Sequence, residues 1–204
     1  NESSSEPVST NYKGDPSQFS WNVRVGELIS LLFFDSNTNC ILVVKSHVSK
    51  RTSKLSCIKA NDGKPQWEIY FPSNIIMNVQ LPGVQDAETF KNLGMIVLKA
   101  GLLAFDRVTG ELKGSIFKSK KVGDIVAATL AGGYLIACSK SYVHVAEYRE
   151  QVGHHESPFR ILWKSKRIGQ GGATIHSCEG YKNFGAVICT GNEILVVDLR
   201  RWKH

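Results

Sequence analysis

Sixteen short strand-like segments recur along this 204-residue chain, and they fall into fours at a nearly constant spacing. Each is a run of β-branched, aliphatic or aromatic residues bounded by Gly, Asn, Asp or Lys, the pattern of a short strand between turns. They are read at 19–25, 28–34, 40–45, 54–60, 65–71, 75–81, 94–99, 102–107, 112–117, 125–131, 134–139, 142–148, 159–164, 174–178, 185–189 and 193–199. Equivalent positions lie near Leu28, Ile76, Ile125 and Thr174, a period of about 48 residues. Connections this short favour antiparallel meanders over crossovers. Helical spacing is not sustained: Asp86–Lys91 makes at most one turn and reads better as a loop. The chain's 18 glycines against two methionines agree with a turn-rich β protein.

Internal similarity supports the period. Phe117–Lys118–Ser119–Lys120–Lys121–Val122–Gly123 matches Trp163–Lys164–Ser165–Lys166–Arg167–Ile168–Gly169 with conservative changes, and Trp21–Gly26 is a looser copy. Cys57–Trp67 parallels Leu103–Lys113. Both contain a strand, an acidic turn with Gly where positive φ is needed, and a returning strand. Four-stranded repeats of 40 to 50 residues are the blades of a β-propeller, so the expected fold is all-β with antiparallel four-stranded blades. Trp67, Phe117 and Trp163 are expected to pack in outer-strand layers. About four blades fill residues 19–204 after a polar lead-in at 1–18. Phe19–Val25 could complete the last blade and close a small ring. The expectation adopted is instead a half-ring, completed by a second chain or a second copy.

The segment Leu103–Glu111 carries an apolar strand, Asp, two residues and Thr-Gly-Glu, and Ala60–Trp67 carries the same pattern with Asp62 in place of Thr. This resembles the repeats of quinoprotein-like (PQQ-type) propellers and, more distantly, WD-type blades. The third repeat departs from the pattern, with a long loop at Tyr148–Pro158, and the Trp-Asp dipeptide of WD repeats does not occur. A catalytic quinoprotein would need a larger ring around its cofactor, a calcium site and an Asp base, so the resemblance implies a fold and no cofactor. A lumenal stress-sensor domain also uses such repeats, but unpaired cysteines and the lack of a signal h-region disfavour it.

Other constellations carry less. Five cysteines in apolar, strand-like surroundings read as buried thiols in a reducing, intracellular compartment, cytoplasmic or nuclear. His154–His155–Glu156 reads as a solvated loop rather than metal ligands. His144 and His176 read as hydrogen-bonded strand residues, and Gly169–Gly172 as an inter-blade loop rather than a phosphate cradle. No apolar run much exceeds Leu31–Leu32–Phe33–Phe34, far short of a membrane span, so no membrane partner is expected.

Net charge is +7, from 25 Lys and Arg against 18 Asp and Glu. Propeller topology puts the second-to-third-strand loops and the exits of the outer strands on one face. Lys45, Lys50, Arg51 and Lys54, with His47, are placed in a long loop of the first kind. Lys118, Lys120, Lys121, Lys164, Lys166 and Arg167 are placed in loops of the second kind. These cations form the candidate partner-binding face. The expected role is a non-enzymatic protein–protein scaffold in a larger intracellular complex, docking other subunits or an acidic segment. The alternative is nucleic-acid binding through the same face, weakened by the lack of interleaved stacking aromatics.

Overall fold

The computed structural model describes residues 28–82, 90, 92–98, 101–117, 124–150, 155–168, 174–181, 185–191 and 193–202. The expected strand at 19–25, the lead-in, most of Asp86–Lys91, Lys118, Lys120, Lys121, His154 and Gly169–Gly172 lie outside these residues.

The first sheet is a meander of β1 (Ile29–Asp35), β2 (Cys40–His47), β3 (Thr52–Lys59) and β4 (Pro65–Phe71), hydrogen-bonded in that order. The second is β5 (Ile76–Gln80), β6 (Leu93–Leu98), β7 (Gly101–Asp106) and β8 (Leu112–Phe117). The third is β9 (Ile125–Ala131), β10 (Tyr134–Ser139), β11 (Val143–Tyr148) and β12 (Phe159–Lys164). The fourth has three described strands, β13 (Ile175–Tyr181), β14 (Gly185–Thr190) and β15 (Ile194–Asp198), followed by a 3-10 turn at Leu199–Trp202. Every pairing is antiparallel. No α-helix occurs among the described residues.

Local chemistry fixes the turns. The Asp35 carboxylate accepts hydrogen bonds from the Asn37 amide (3.1 Å) and the Thr38 hydroxyl (2.8 Å), and Asn39 takes φ of 51°, tolerable for Asn. Asp106 accepts from the amides of Val108 and Thr109, at 2.9 and 3.0 Å. Gly63 and Gly110, the two glycines of the repeated acidic turn, both adopt positive φ (71° and 76°), as the motif requires.

One boundary shifts with consequence. β2 and β3 run two residues further toward their shared turn than the apolar pattern indicates, because Ser46 pairs with Ser53 and His47 with Thr52. The two serine hydroxyls lie 2.9 Å apart across the ladder. The long loop expected at 46–53 is therefore a tight turn at 48–51, and Lys45 and Lys54 sit opposite each other within strands.

The sheets stack in chain order through three apolar clusters. One joins the first sheet to the second, the next the second to the third, and the last the third to the fourth. Among the described residues no cluster joins the fourth sheet to the first. Each sheet offers the next a quartet from its two middle strands. These are Leu42, Val44, Leu55 and Cys57 in the first, and Met95, Val97, Leu102 and Ala104 in the second. In the third they are Ile136, Cys138, Val143 and Val145. All twelve are at most 2% exposed. The first strands of the second, third and fourth sheets adjoin one another, β5 against β9 and β9 against β13, and so lie innermost. Of the three expected outer-strand aromatics, Trp67 and Phe117 pack into the core, whereas Trp163 is 37% exposed.

Candidate docking site

A concave surface lies at the end of the first sheet where β2 turns into β3. A cleft of about 350 Å³ is lined by Leu28, Lys45, Ser46, His47, Thr52, Ser53, Lys54 and Tyr70. Strand extension through Ser46–His47 and Thr52–Ser53 creates it, since it continues the ladder past Lys45 and Lys54 and holds both lysines on the walls. Lys54 Nζ contacts Glu68 Oε2 at 2.6 Å, and Ser56 donates to Glu68 Oε1 at 2.9 Å. The Lys54 ammonium leads in holding the Glu68 carboxyl below its ordinary range, with the Ser56 hydroxyl adding to it. Lys50 and Arg51 stand exposed on the adjoining turn, and Arg51 takes φ of 52° with its amide bonded to the Val48 carbonyl at 3.1 Å. Leu28 and Tyr70 are exposed, giving the rim apolar as well as cationic surface.

Lys164, Lys166 and Arg167 lie at the corresponding end of the third sheet, two sheets away. The segment 165–168 runs beside the β10–β11 turn: Val143 donates to the Ser165 hydroxyl (3.0 Å) and Ile168 to the Ser141 carbonyl (2.8 Å). Lys166 and Arg167 are exposed, while Lys164 places its Nζ 4.1 Å from the centre of the Tyr142 ring, a cation–π contact. The basic residues thus form two separate described groups, the first with a cleft.

A second, smaller cleft of about 170 Å³ lies among the innermost strands, with Asn78, Gln80, His176 and Glu179 among its walls. His144 is fully buried, its Nδ1 3.3 Å from the Ala137 carbonyl, and burial pushes its pKa down. His155 and Glu156 are exposed. Among the described residues no His, Cys, Asp or Glu cluster has the makings of a metal site. Cys40, Cys57, Cys138 and Cys178 are buried thiols, and Cys189 is half-buried. Burial pushes the Cys57 thiol up to about 12, with neighbouring Cys40 adding to the shift, and a hydrogen bond with Cys138 heads the causes raising Cys178. Thiols so shifted are poor nucleophiles.

Two contacts invisible to local pattern join the first and second sheets. Trp67 donates its indole N–H to the Arg107 carbonyl at 3.1 Å and meets Phe105 edge-on at 5.7 Å. A Cβ on Gly110 would lie 2.6 Å from that indole, so the acidic turn of the second sheet is shaped to seat the tryptophan of the first. Beside it, Arg107 Nη1 donates to Asp35 Oδ1 at 2.8 Å, and both side chains are buried.

No protein-family model matches the chain, and no curated protein matches it in sequence. Solved structures do. BamB from Moraxella catarrhalis superposes with a TM-score of 0.61 at 10% identity, covering 89% of this chain and 50% of that one. The C-terminal WD40 domain of Sif2 gives 0.61 at 14% identity, covering 86% and 47%. The Dos1 propeller gives 0.52 at 11%, covering 82% and 40%. The chain thus spans half or less of the length of these structures. Stacked meanders, innermost first strands and degenerate acidic-turn repeats agree with that likeness: the fold is four β-propeller blades in chain order, with no cluster among the described residues joining the fourth to the first.

Proposed function

We propose that this chain is a non-enzymatic docking module that recruits protein partners in an intracellular assembly, with the first-blade cleft taking an acidic polypeptide segment. The observation that carries this reading is the composition of the cleft. Lys45, Lys54 and His47 line it, Lys50 and Arg51 adjoin it, and Leu28 and Tyr70 supply apolar surface within the same 350 Å³. Acidic side chains interspersed with apolar ones match that mixture. A phosphate backbone matches it less well, because the Glu68 carboxylate sits against Lys54. Blades stacked through buried clusters give a rigid support for such loops.

The test is fluorescence anisotropy with a labelled Asp/Glu-rich peptide carrying two leucines, beside single-stranded and duplex DNA of equal charge, at low and physiological salt. The expected result is peptide binding that is lost in the K50E/R51E double variant. DNA binding with a steep salt slope and no peptide binding would overturn the reading in favour of nucleic acid.

A further inference from the structure

The fourth blade repeats a surface that the other three bury. By register, Val187 faces Val196 and Cys189 faces Ile194 across β14 and β15. The matching pairs are Leu42 with Cys57 and Val44 with Leu55 in the first blade, Met95 with Ala104 and Val97 with Leu102 in the second, and Ile136 with Val145 and Cys138 with Val143 in the third. The next blade covers each of those quartets. On the fourth blade the opposite face, with Ala186, Ile188, Leu195 and Val197, packs on the third blade, which leaves the quartet pointing outward. There Ile194 is 73% and Val196 68% exposed, and Val187 and Cys189 are half-buried.

We infer that this quartet is a blade-receiving surface, and that its occupant is a further antiparallel propeller blade, lying outside these 204 residues, that presents an aliphatic face. The inference deepens the reading of the chain as a docking module and rests on it. Two observations select the occupant. The same four positions are filled three times over by one kind of partner, the following blade. The propellers this chain superposes on are about twice its length, with 50% and 47% of BamB and Sif2 covered.

A second copy offering its own first blade is disfavoured by chemistry. The outward face of that blade carries Ser56 where the second and fourth blades have Leu103 and Leu195, and beside it the Lys54–Glu68 ion pair. Laying the quartet there would strip water from both charges.

The experiment places p-benzoylphenylalanine at position 196, in place of Val196, in the protein expressed in its native cells, with photocrosslinking followed by peptide mass spectrometry. The expected crosslink is to a peptide outside residues 1–204 that has the alternating aliphatic pattern of a strand. In parallel, Cys189 should lose its maleimide labelling in the native assembly relative to the isolated chain, while the four buried cysteines stay unlabelled in both. A crosslink to residues 1–27, to residues 29–71 or to 185–198 of a second copy would overturn the inference. So would equal labelling of Cys189 in both samples. Peptide binding at the first-blade cleft is read separately by anisotropy, so failure of one claim leaves the other measurable.

Discussion

Substituting Asp35 by Ala should be among the most damaging single changes outside the apolar clusters. The Asp35 carboxylate ends β1 and accepts from Arg107 Nη1 at 2.8 Å, from the Asn37 amide at 3.1 Å and from the Thr38 hydroxyl at 2.8 Å. Its removal leaves a guanidinium in a fully buried site and opens the β1–β2 turn. Breaking a buried pair from one side costs about 3–5 kcal/mol, because the remaining buried charge loses an opposite charge that water cannot replace. Replacing both partners by apolar residues of similar size, Asp35→Leu with Arg107→Met, should recover most of that loss, since no charge is then stranded. Urea denaturation of D35L, R107M, the D35L/R107M double variant and the parent chain gives the coupling energy, with D35A measured beside them. A D35A loss under about 1 kcal/mol, the range of exposed pairs, would refute the reasoning. So would a double variant as unstable as the sum of the singles.

Gly110→Ala should cost at least about 1–2 kcal/mol from its φ of 76° alone, with the collision against the Trp67 ring added, and Trp67→Phe should relieve part of that collision in the double variant. Leu55→Ala should cost about 2–5 kcal/mol. In the isolated chain the register-equivalent Ile194→Ala, at an exposed position, should stay within about 0.5 kcal/mol. His144 has its pKa lowered from 6.5 by burial, so the unfolded chain takes up the proton first. Its contribution is fully present above pH about 6.5 and is lost as pH falls through the folded value. His144→Leu, the residue at the equivalent position of the second and fourth blades, should flatten the decline in urea midpoint between pH 7 and 5.

The strand inventory was legible because alternation and turn chemistry are both local. The segments at 65–71, 112–117, 125–131, 134–139 and 159–164 match the observed strands end for end. The acidic turns were legible for the same reason, since Asp106 and Gly110 act within five residues of each other. Hydroxyl pairing concealed the ends of β2 and β3, because Ser46, Ser53 and Thr52 resemble loop residues until they find each other across a ladder. The shorter strands hid the cleft that Ser46, His47, Thr52 and Ser53 help to line. Pairs such as Trp67 with the Arg107 carbonyl, and Asp35 with Arg107, span 40 and 72 residues and leave no local trace. The quartets did leave one: apolar residues two apart on each side of the middle turn, in all four repeats.

Because each blade touches its chain neighbours through separate clusters, stability in this molecule behaves as a nearest-neighbour sum, like that of a linear array. The second and third blades are braced on two sides. Among the described residues the fourth has one interface and three strands, which makes it the least braced unit of the described array. Hydrogen exchange should therefore run as a gradient, with amides of β6, β7, β10 and β11 slowest and those of β14 and β15 fastest among the middle and outer strands. Covering the last blade would remove the array's loose end, so a partner's arrival there would be felt as slower exchange several blades away, without any change in shape.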